Sequence, residues 1–214
     1  MRSGVTIVVL LLLLFAPLLV ASPLHQTILE GDLPSVQHLL SLRKVDVNEF
    51  SESTTPLILA AENNHEMIVE LLLRHGADPN LRELHFNETA LFKASFKGYI
   101  NLVQLLISHG ADVTLRIKNE ETCLMWSSFK GFSDISQLLI RAGADVNAQD
   151  TKYGFTPLMV AAKNGHVATV KLLLRHGASP HLLDKAGRSA LIHAQSKGNT
   201  QVVALLTDIP LGEL

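Results

Sequence analysis

The sequence predicts an all-α solenoid of stacked helical hairpins, because two independent markers repeat along the chain with one period. A serine or threonine followed two residues later by leucine recurs at separations of 33, 34, 33, 34 and 33 residues. Glycines that would end the second helix of a unit recur at separations of 34, 33 and 34 residues. The predicted unit starts are Ser22, Thr55, Thr89, Thr122, Thr156 and Ser189. Periods of this length are typical of helical repeat proteins.

Residues 1–21 are predicted to be a signal peptide or a membrane anchor. Arg2 is followed by an uncharged apolar run over residues 5–21, as in a secretory leader. Cleavage after Ala21 would place Leu19 where a small residue is usual, so a retained anchor over residues 5–21 is the alternative. We expect an exported protein, periplasmic or secreted, if the leader is removed, and a membrane-anchored protein if it is not.

Each predicted unit begins with a capped helix and continues into a more apolar one. The serine or threonine caps the first helix, and Pro23, Pro56 or Pro157 follows at the first helical position, where a missing N–H costs nothing. Small residues such as Ala60 and Ala61 let the neighbouring first helix approach closely. A single pair cannot bury its apolar face alone, so the units must stack.

Three stretches of the chain carry a resemblance to a known family. They are SPLH at Ser22–His25, TPLILAAENNHEMIVELLLRHGADPN at Thr55–Asn80 and TPLMVAAKNGHVATVKLLLRHGA at Thr156–Ala178. These motifs resemble those of the ankyrin-repeat family. The resemblance implies helix pairs joined by short projecting β-hairpins in a curved solenoid, here six repeats over residues 22–207 with a short tail over residues 208–214.

Catalysis, metal binding and cofactor binding have no positive support in the sequence. The net charge of −2 does not suggest a nucleic-acid partner. Cys123 is the only cysteine, so paired-cysteine metal motifs are excluded, and we expect it to be half-buried rather than reactive. Six of the ten histidines occupy recurrent repeat positions, and the others lack ligand spacing. We therefore expect a protein that is not an enzyme.

The resemblance implies that partner proteins dock on the hairpin tips and the exposed, concave side of the first helices. Phe96 and Phe129 occupy equivalent positions in adjacent units, and each is followed by a lysine. We predict an aromatic strip flanked by lysines, a composition typical of interaction hot spots. Its residues are Phe96, Trp126, Phe129, Tyr153 and Phe155, with Lys97, Lys130, Lys163 and Lys197 beside them. The alternative is that Phe96 and Phe129 both pack between repeats.

The function predicted from the sequence is a monomeric, non-catalytic scaffold for protein–protein interaction. Its partner would be a protein of unknown identity, bound through a partially acidic or apolar segment. The alternative, if the leader is retained, is a membrane-anchored spacer or a chaperone-like holdfast.

Overall fold

The computed structural model describes residues 22–42 and 45–207. The predicted leader at residues 1–21 and the predicted tail at residues 208–214 therefore lie outside the described residues. Twelve α-helices in this part of the chain are arranged as successive pairs. No helix among them is long and apolar enough to cross a bilayer.

The first helices of the pairs are α1 (Pro23–Glu30), α3 (Pro56–Glu62), α5 (Ala90–Lys97), α7 (Cys123–Lys130), α9 (Pro157–Lys163) and α11 (Ala190–Ser196). The second helices are α2 (Leu33–Ser41), α4 (Glu66–Arg74), α6 (Ile100–Ser108), α8 (Ser133–Arg141), α10 (Val167–Arg175) and α12 (Thr200–Thr207). Each first helix packs against the first helices of the adjacent pairs, and each second helix packs against the adjacent second helices. The molecule therefore has two parallel layers of helices, as the repeat pattern predicts.

Every first helix begins directly after one of the predicted capping residues. The Thr89 hydroxyl accepts a hydrogen bond from Phe92 N at 3.1 Å, and the Thr156 hydroxyl accepts one from Met159 N at 3.2 Å. Ser22, Thr55, Thr122 and Ser189 make the equivalent bond at the other starts. The spacing of these residues along the sequence thus sets the spacing of the helices.

The turn between the two helices of a pair depends on a left-handed residue. Gly98 has φ 85°, and a Cβ at this position would lie 2.9 Å from the Phe132 ring. Asn64, with φ 59°, takes the same place in the second unit. Asparagine tolerates this conformation better than most residues, so the turn forms there without glycine.

The core lies between the two layers and is shared by neighbouring units. Ala60, Ala61, Ala94, Ala161, Ala162 and Ala194 are fully buried on the first helices. Ser127 and Ser128 replace the alanine pair in α7 and are also fully buried. The Ser127 hydroxyl lies 2.8 Å from the Ser136 hydroxyl, so Ser127 has a hydrogen-bond partner inside the core. Because these side chains are small, consecutive first helices approach closely.

The loops between units contain less β-structure than the β-hairpins implied by the family resemblance. In the described residues they form two isolated bridges, Ser51 with Thr54 and Arg116 with Thr122. The loop arms are short, and each loop is closed by only a few backbone hydrogen bonds. Adjacent loops are joined along the solenoid by single backbone hydrogen bonds, such as that from Lys118 N to Phe86 O at 3.0 Å.

Asparagine side chains link consecutive units at the base of the loops. Asn80 accepts a hydrogen bond from Asp112 N at 2.7 Å and donates one to Gly110 O at 3.2 Å. Asn48 and Asn147 bridge the following units in the same way. Thr114 occupies the equivalent position in the third unit, and its hydroxyl instead donates to Asp112 within its own loop at 2.6 Å.

Candidate interaction surface

The first helices and the loops together form one face of the molecule, and the predicted aromatic strip lies on it. The strip, meaning Phe96, Trp126, Phe129, Tyr153 and Phe155, runs from α5 through α7 to the loop before α9. All of its residues line one or both of two adjacent pockets on this face. The structure therefore brings together residues that are far apart in the sequence.

Phe96 and Phe129 differ in exposure although their positions are equivalent. Phe129 is 42% exposed, whereas Phe96 is half-buried and packs against the core. Each of the two alternatives that the sequence leaves open, exposure or packing between repeats, therefore holds for one of the two residues. Phe129 presents its ring to solvent, and Phe96 is tucked against the next unit.

Trp126 is the centre of the strip and contacts three phenylalanine rings edge to face. Its ring centroid lies 5.3 Å from that of Phe96 and 5.5 Å from that of Phe129. The third ring is the buried Phe92, at 6.2 Å, which the sequence analysis did not include. Its place in the first turn of α5 beside Phe96 was the signal that could have identified it. Such contacts hold the indole in a fixed orientation.

The polar edge of the Trp126 indole is bound to a half-buried carboxylate. Trp126 Nε1 donates a hydrogen bond to Glu121 Oε2 at 3.0 Å. Burial raises the pKa of Glu121, and the charge of Asp150 acts in the same direction, while the hydrogen bond from Trp126 opposes them. The Glu121–Trp126 pair forms part of the wall of both pockets.

Tyr153 and Phe155 form a second aromatic group on the same face. Their rings are stacked with centroids 5.4 Å apart, and Tyr153 is 49% exposed. The Phe155 ring also meets the buried His193 ring edge to face at 5.0 Å. Asp150 accepts hydrogen bonds from the backbone N–H groups of Tyr153 and Phe155, which fixes the loop that carries both rings.

Lysine ammonium groups lie over the rings of the strip. Lys130 Nζ is 4.4 Å from the Phe96 centroid, and Lys163 Nζ is 5.0 Å from the Phe155 centroid. Lys152, which the sequence analysis missed, lies 4.8 Å from the Tyr153 centroid. Lys97 lines the pocket beside Phe96, whereas Lys197 is exposed at the end of α11 and lines neither pocket of the strip.

Two pockets flank Trp126. The Phe96 pocket has a volume of about 490 Å³ and includes Glu62, Phe86, Glu88, Phe92, Lys93, Phe96, Lys97, Ile117 and Lys118 in its lining. The Tyr153 pocket has a volume of about 170 Å³ and includes Met125, Phe129, Asp150, Tyr153, Phe155, Val160, Lys163 and Asn164. Concave, mostly apolar pockets with a few polar groups are the usual form of a binding site.

Two polar clusters contain histidine, and both are explained by the packing of the loops. Ser22 Oγ lies 2.8 Å from His25 Nδ1 and also contacts Glu49, which fixes the first loop against α1. The buried Asp184 carboxylate lies 2.9 Å from His193 Nε2 and accepts backbone hydrogen bonds in the last loop. Neither cluster opens onto the two pockets.

Other groups with potential reactivity are buried or scattered. Cys123, expected to be half-buried, is only 4% exposed, and burial raises the pKa of its thiol to about 12. A thiol in this state is a poor nucleophile. Within residues 22–42 and 45–207, no group of three or more histidine, cysteine, aspartate or glutamate side chains could hold a metal ion.

Comparison with known proteins identifies the family. The profile of the family described as "Ankyrin repeats (3 copies)" matches residues 6–83, 24–117, 82–150 and 124–211. The chain therefore belongs to the ankyrin-repeat family. Ankyrin repeats generally mediate protein–protein interactions, and the family is generally non-catalytic.

Three relatives illustrate how much of other proteins this chain matches. The B-cell lymphoma 3 protein homolog of Mus musculus is 32% identical over 194 residues, which cover 86% of this chain and 43% of that protein. The 2-5A-dependent ribonuclease of Homo sapiens is 50% identical over 174 residues, which cover 76% of this chain and 23% of that protein. Ankyrin repeat family A protein 2 of Mus musculus is 57% identical over 47 residues, covering 22% and 15%. The chain thus spans less than half of each of these proteins.

Proposed function

We propose that this chain is a non-catalytic interaction module that binds a partner protein through the face formed by its first helices and loops. The observation that carries the proposal is the pair of exposed rings, Phe129 and Tyr153, at the edge of a pocket containing Trp126. Tryptophan and tyrosine are enriched among the few residues that contribute most of the binding energy in protein interfaces, and these residues cluster in well-packed pockets. The concave side and the loop tips would then contact the partner together.

The buried residues that hold the repeats together are distinct from the exposed rings on the surface, and this distinction supports the same proposal. The buried alanines and leucines of the repeats are fully accounted for by stacking between units. Stacking does not require the exposed rings of Phe129 and Tyr153, since most of the stabilisation of a repeat array comes from its internal contacts. Function resides in such surface sites rather than in the fold itself.

Quantitative capture of the partner tests this proposal. The full chain would be immobilised and used to capture proteins from its native source, and the amount of each captured protein would be compared between the wild type and Phe129→Ala. We expect at least about a tenfold loss of capture, the effect of removing a hot-spot side chain.

Met67→Ala is the matched control, because Met67 is 66% exposed and lies on α4 in the layer of second helices, away from the face formed by the first helices and loops. It should capture the partner as well as the wild type does. An equal loss of partner capture in both variants, or no loss of capture in Phe129→Ala, would overturn the proposal.

We further propose that the mature protein acts as an exported or membrane-anchored monomer. The apolar run over residues 5–21 supports both routes, and cleavage after Ala21 would leave Ser22 in place as the cap of α1. Mass spectrometry of the native protein distinguishes them, since a chain starting at Ser22 indicates export and one starting at Met1 indicates an anchor. A mature terminus well inside α1 would contradict both.

A further inference from the structure

The acidic side chains on the interaction face already have partners within the molecule. Glu62 and Glu88 both pair with Lys93, at 3.4 and 2.7 Å. Asp150 accepts hydrogen bonds from the backbone N–H groups of its own loop, and Glu121 accepts one from Trp126. Lys93 balances one of the two glutamates, whereas the neutral N–H donors bind the oxygens of Asp150 and Glu121 without cancelling their charge. At most three negative charges therefore remain unbalanced among these carboxylates.

Apart from Lys93, five lysines surround the two pockets or line them, and they outnumber the remaining negative charges. Among the ion pairs of residues 22–42 and 45–207, none involves Lys97, Lys118, Lys130, Lys152 or Lys163. Four of them lie over aromatic rings instead, at centroid distances from 4.4 to 5.6 Å. A contact of this kind at an exposed site is weak, so a carboxylate of a ligand can attract the ammonium group without a large loss.

The two pockets are adjacent because they share Trp126 and Glu121. The exposed surface inside each pocket is mainly apolar, contributed by residues such as Phe92, Phe96 and Ile117 in the Phe96 pocket and Met125, Phe129 and Val160 in the Tyr153 pocket. Charged side chains also line the Phe96 pocket. A ligand that fills both must place two apolar groups close together, one on each side of the Trp126 side chain.

We infer that the occupant of this surface is an acidic segment of the partner protein that carries two closely spaced apolar side chains. This inference rests on the proposed function and specifies its ligand. The two apolar side chains enter the Phe96 and Tyr153 pockets, and the flanking carboxylates pair with the surrounding lysines. A cationic ligand fits poorly, because ammonium groups of the chain already lie over the rings and would repel it.

Fluorescence titration of the full chain tests this inference, since Trp126 is the only tryptophan and lies between the pockets. The probes are synthetic peptides without tryptophan or tyrosine, with two leucines separated by two, three or four positions and flanked by glutamates. We expect saturable binding of at least one acidic peptide. Replacing one leucine by serine, or the glutamates by lysines, should weaken binding at least about tenfold. Added salt should also weaken the binding of the acidic peptide, because it screens the attraction between the charges.

A pair of lysine variants tests the charge contribution separately. Lys130→Gln combined with Lys163→Gln should weaken binding of the acidic peptide several-fold. Lys171→Gln is the matched control, because Lys171 is exposed on α10 in the other helix layer, and it should leave binding unchanged. Equal effects of both changes would contradict the role of the lysines around the pockets.

Three outcomes would overturn the inference. The first is that the lysine-flanked peptide or tetramethylammonium binds more strongly than the glutamate-flanked peptide. The second is a change in Trp126 emission with protein concentration alone, which would indicate a second copy of the chain on this face. The third is the absence of any peptide response while Phe129→Ala still abolishes capture of the native partner. That last result would leave the proposed function standing and reject only the acidic two-anchor ligand.

Discussion

At the scale of single residues, the different environments of Phe96 and Phe129 have a simple cause. The next unit places Trp126 against Phe96, edge to face with centroids 5.3 Å apart. Val160 is the residue at the position equivalent to Trp126 in the following unit, and it is too small to cover Phe129 in the same way. The exposed ring and the Tyr153 pocket both result from this change in side-chain size between units.

Alanine substitutions should separate these two phenylalanines by stability. Phe96→Ala should lower the free energy of unfolding by about 1–3 kcal/mol, because it removes a ring packed against the core. Phe129→Ala should lower it by less than about 1 kcal/mol, the worth of its edge-to-face contact with Trp126. Chemical denaturation measures both values, and equal losses would contradict the assignment of Phe129 to the surface.

Two buried histidines should make the protein less stable in mild acid. Burial is the largest cause of the lowered pKa of His25 and also of His193. Below the ordinary histidine pKa of 6.5, the unfolded chain binds protons that the folded chain does not, so stability falls as the pH decreases through and below that value.

A non-titrating variant isolates the contribution of His25. Between pH 7.5 and 5.5 the free energy of unfolding should decrease less steeply in His25→Gln than in the wild type. Glu121, whose pKa is raised, acts in the opposite direction, but it is present in both proteins and does not affect the comparison. Identical slopes would show that His25 is protonated equally in the folded and unfolded states.

At the scale of the helices, the capping residues should contribute measurably to the stability of the fold. Thr156 is 1% exposed and caps α9, so Thr156→Ala should cost about 1–2 kcal/mol of stability. Thr151→Ala, a change at an exposed threonine in the preceding loop, should stay within about 0.5 kcal/mol. Thermal unfolding of the two variants compares them directly, and similar melting temperatures would argue against the cap.

The helices were predictable from the sequence because their signals are local. A hydroxyl cap, a proline at the first helical position and a left-handed turn residue each act within a few residues, and all recur with the period of the repeat. The exposure of Phe96 and Phe129 was not predictable from their own positions, since it depends on Trp126 and Val160 in neighbouring units. Phe92 and Lys152 could have been predicted, because Phe92 lies one turn before Phe96 in α5 and Lys152 directly precedes Tyr153. Only the contact of Phe92 with Trp126 depends on the stacking of units.

At the scale of the whole molecule, the junction between the third and fourth units lacks a link that three other junctions possess. Asn48, Asn80 and Asn147 each bridge two units through a side-chain amide, whereas Thr114 bonds within its own loop. The junction between the third and fourth units therefore lacks these two hydrogen bonds. It is also the junction at which Phe96 and Trp126 meet.

An asparagine at position 114 should stabilise the array. Thr114→Asn would place an amide within reach of Gly143 and Asp145, and we expect a gain of about 0.5–1.5 kcal/mol, the net value of a typical hydrogen bond. Asn80→Thr is the reciprocal change and should cost a similar amount. Denaturant unfolding measures both, and a destabilised Thr114→Asn variant would show that the third loop cannot adopt the geometry of the others.

Site-specific photo-crosslinking in the native source would show whether the partner lies on the aromatic face. A photoreactive phenylalanine analogue would replace Phe129 or Tyr153 on this face, or Met67, which is 66% exposed on α4 in the other layer. We expect positions 129 and 153 to crosslink the same protein and position 67 not to crosslink it. Crosslinking of that protein from position 67 alone, or equally from all three, would contradict this expectation.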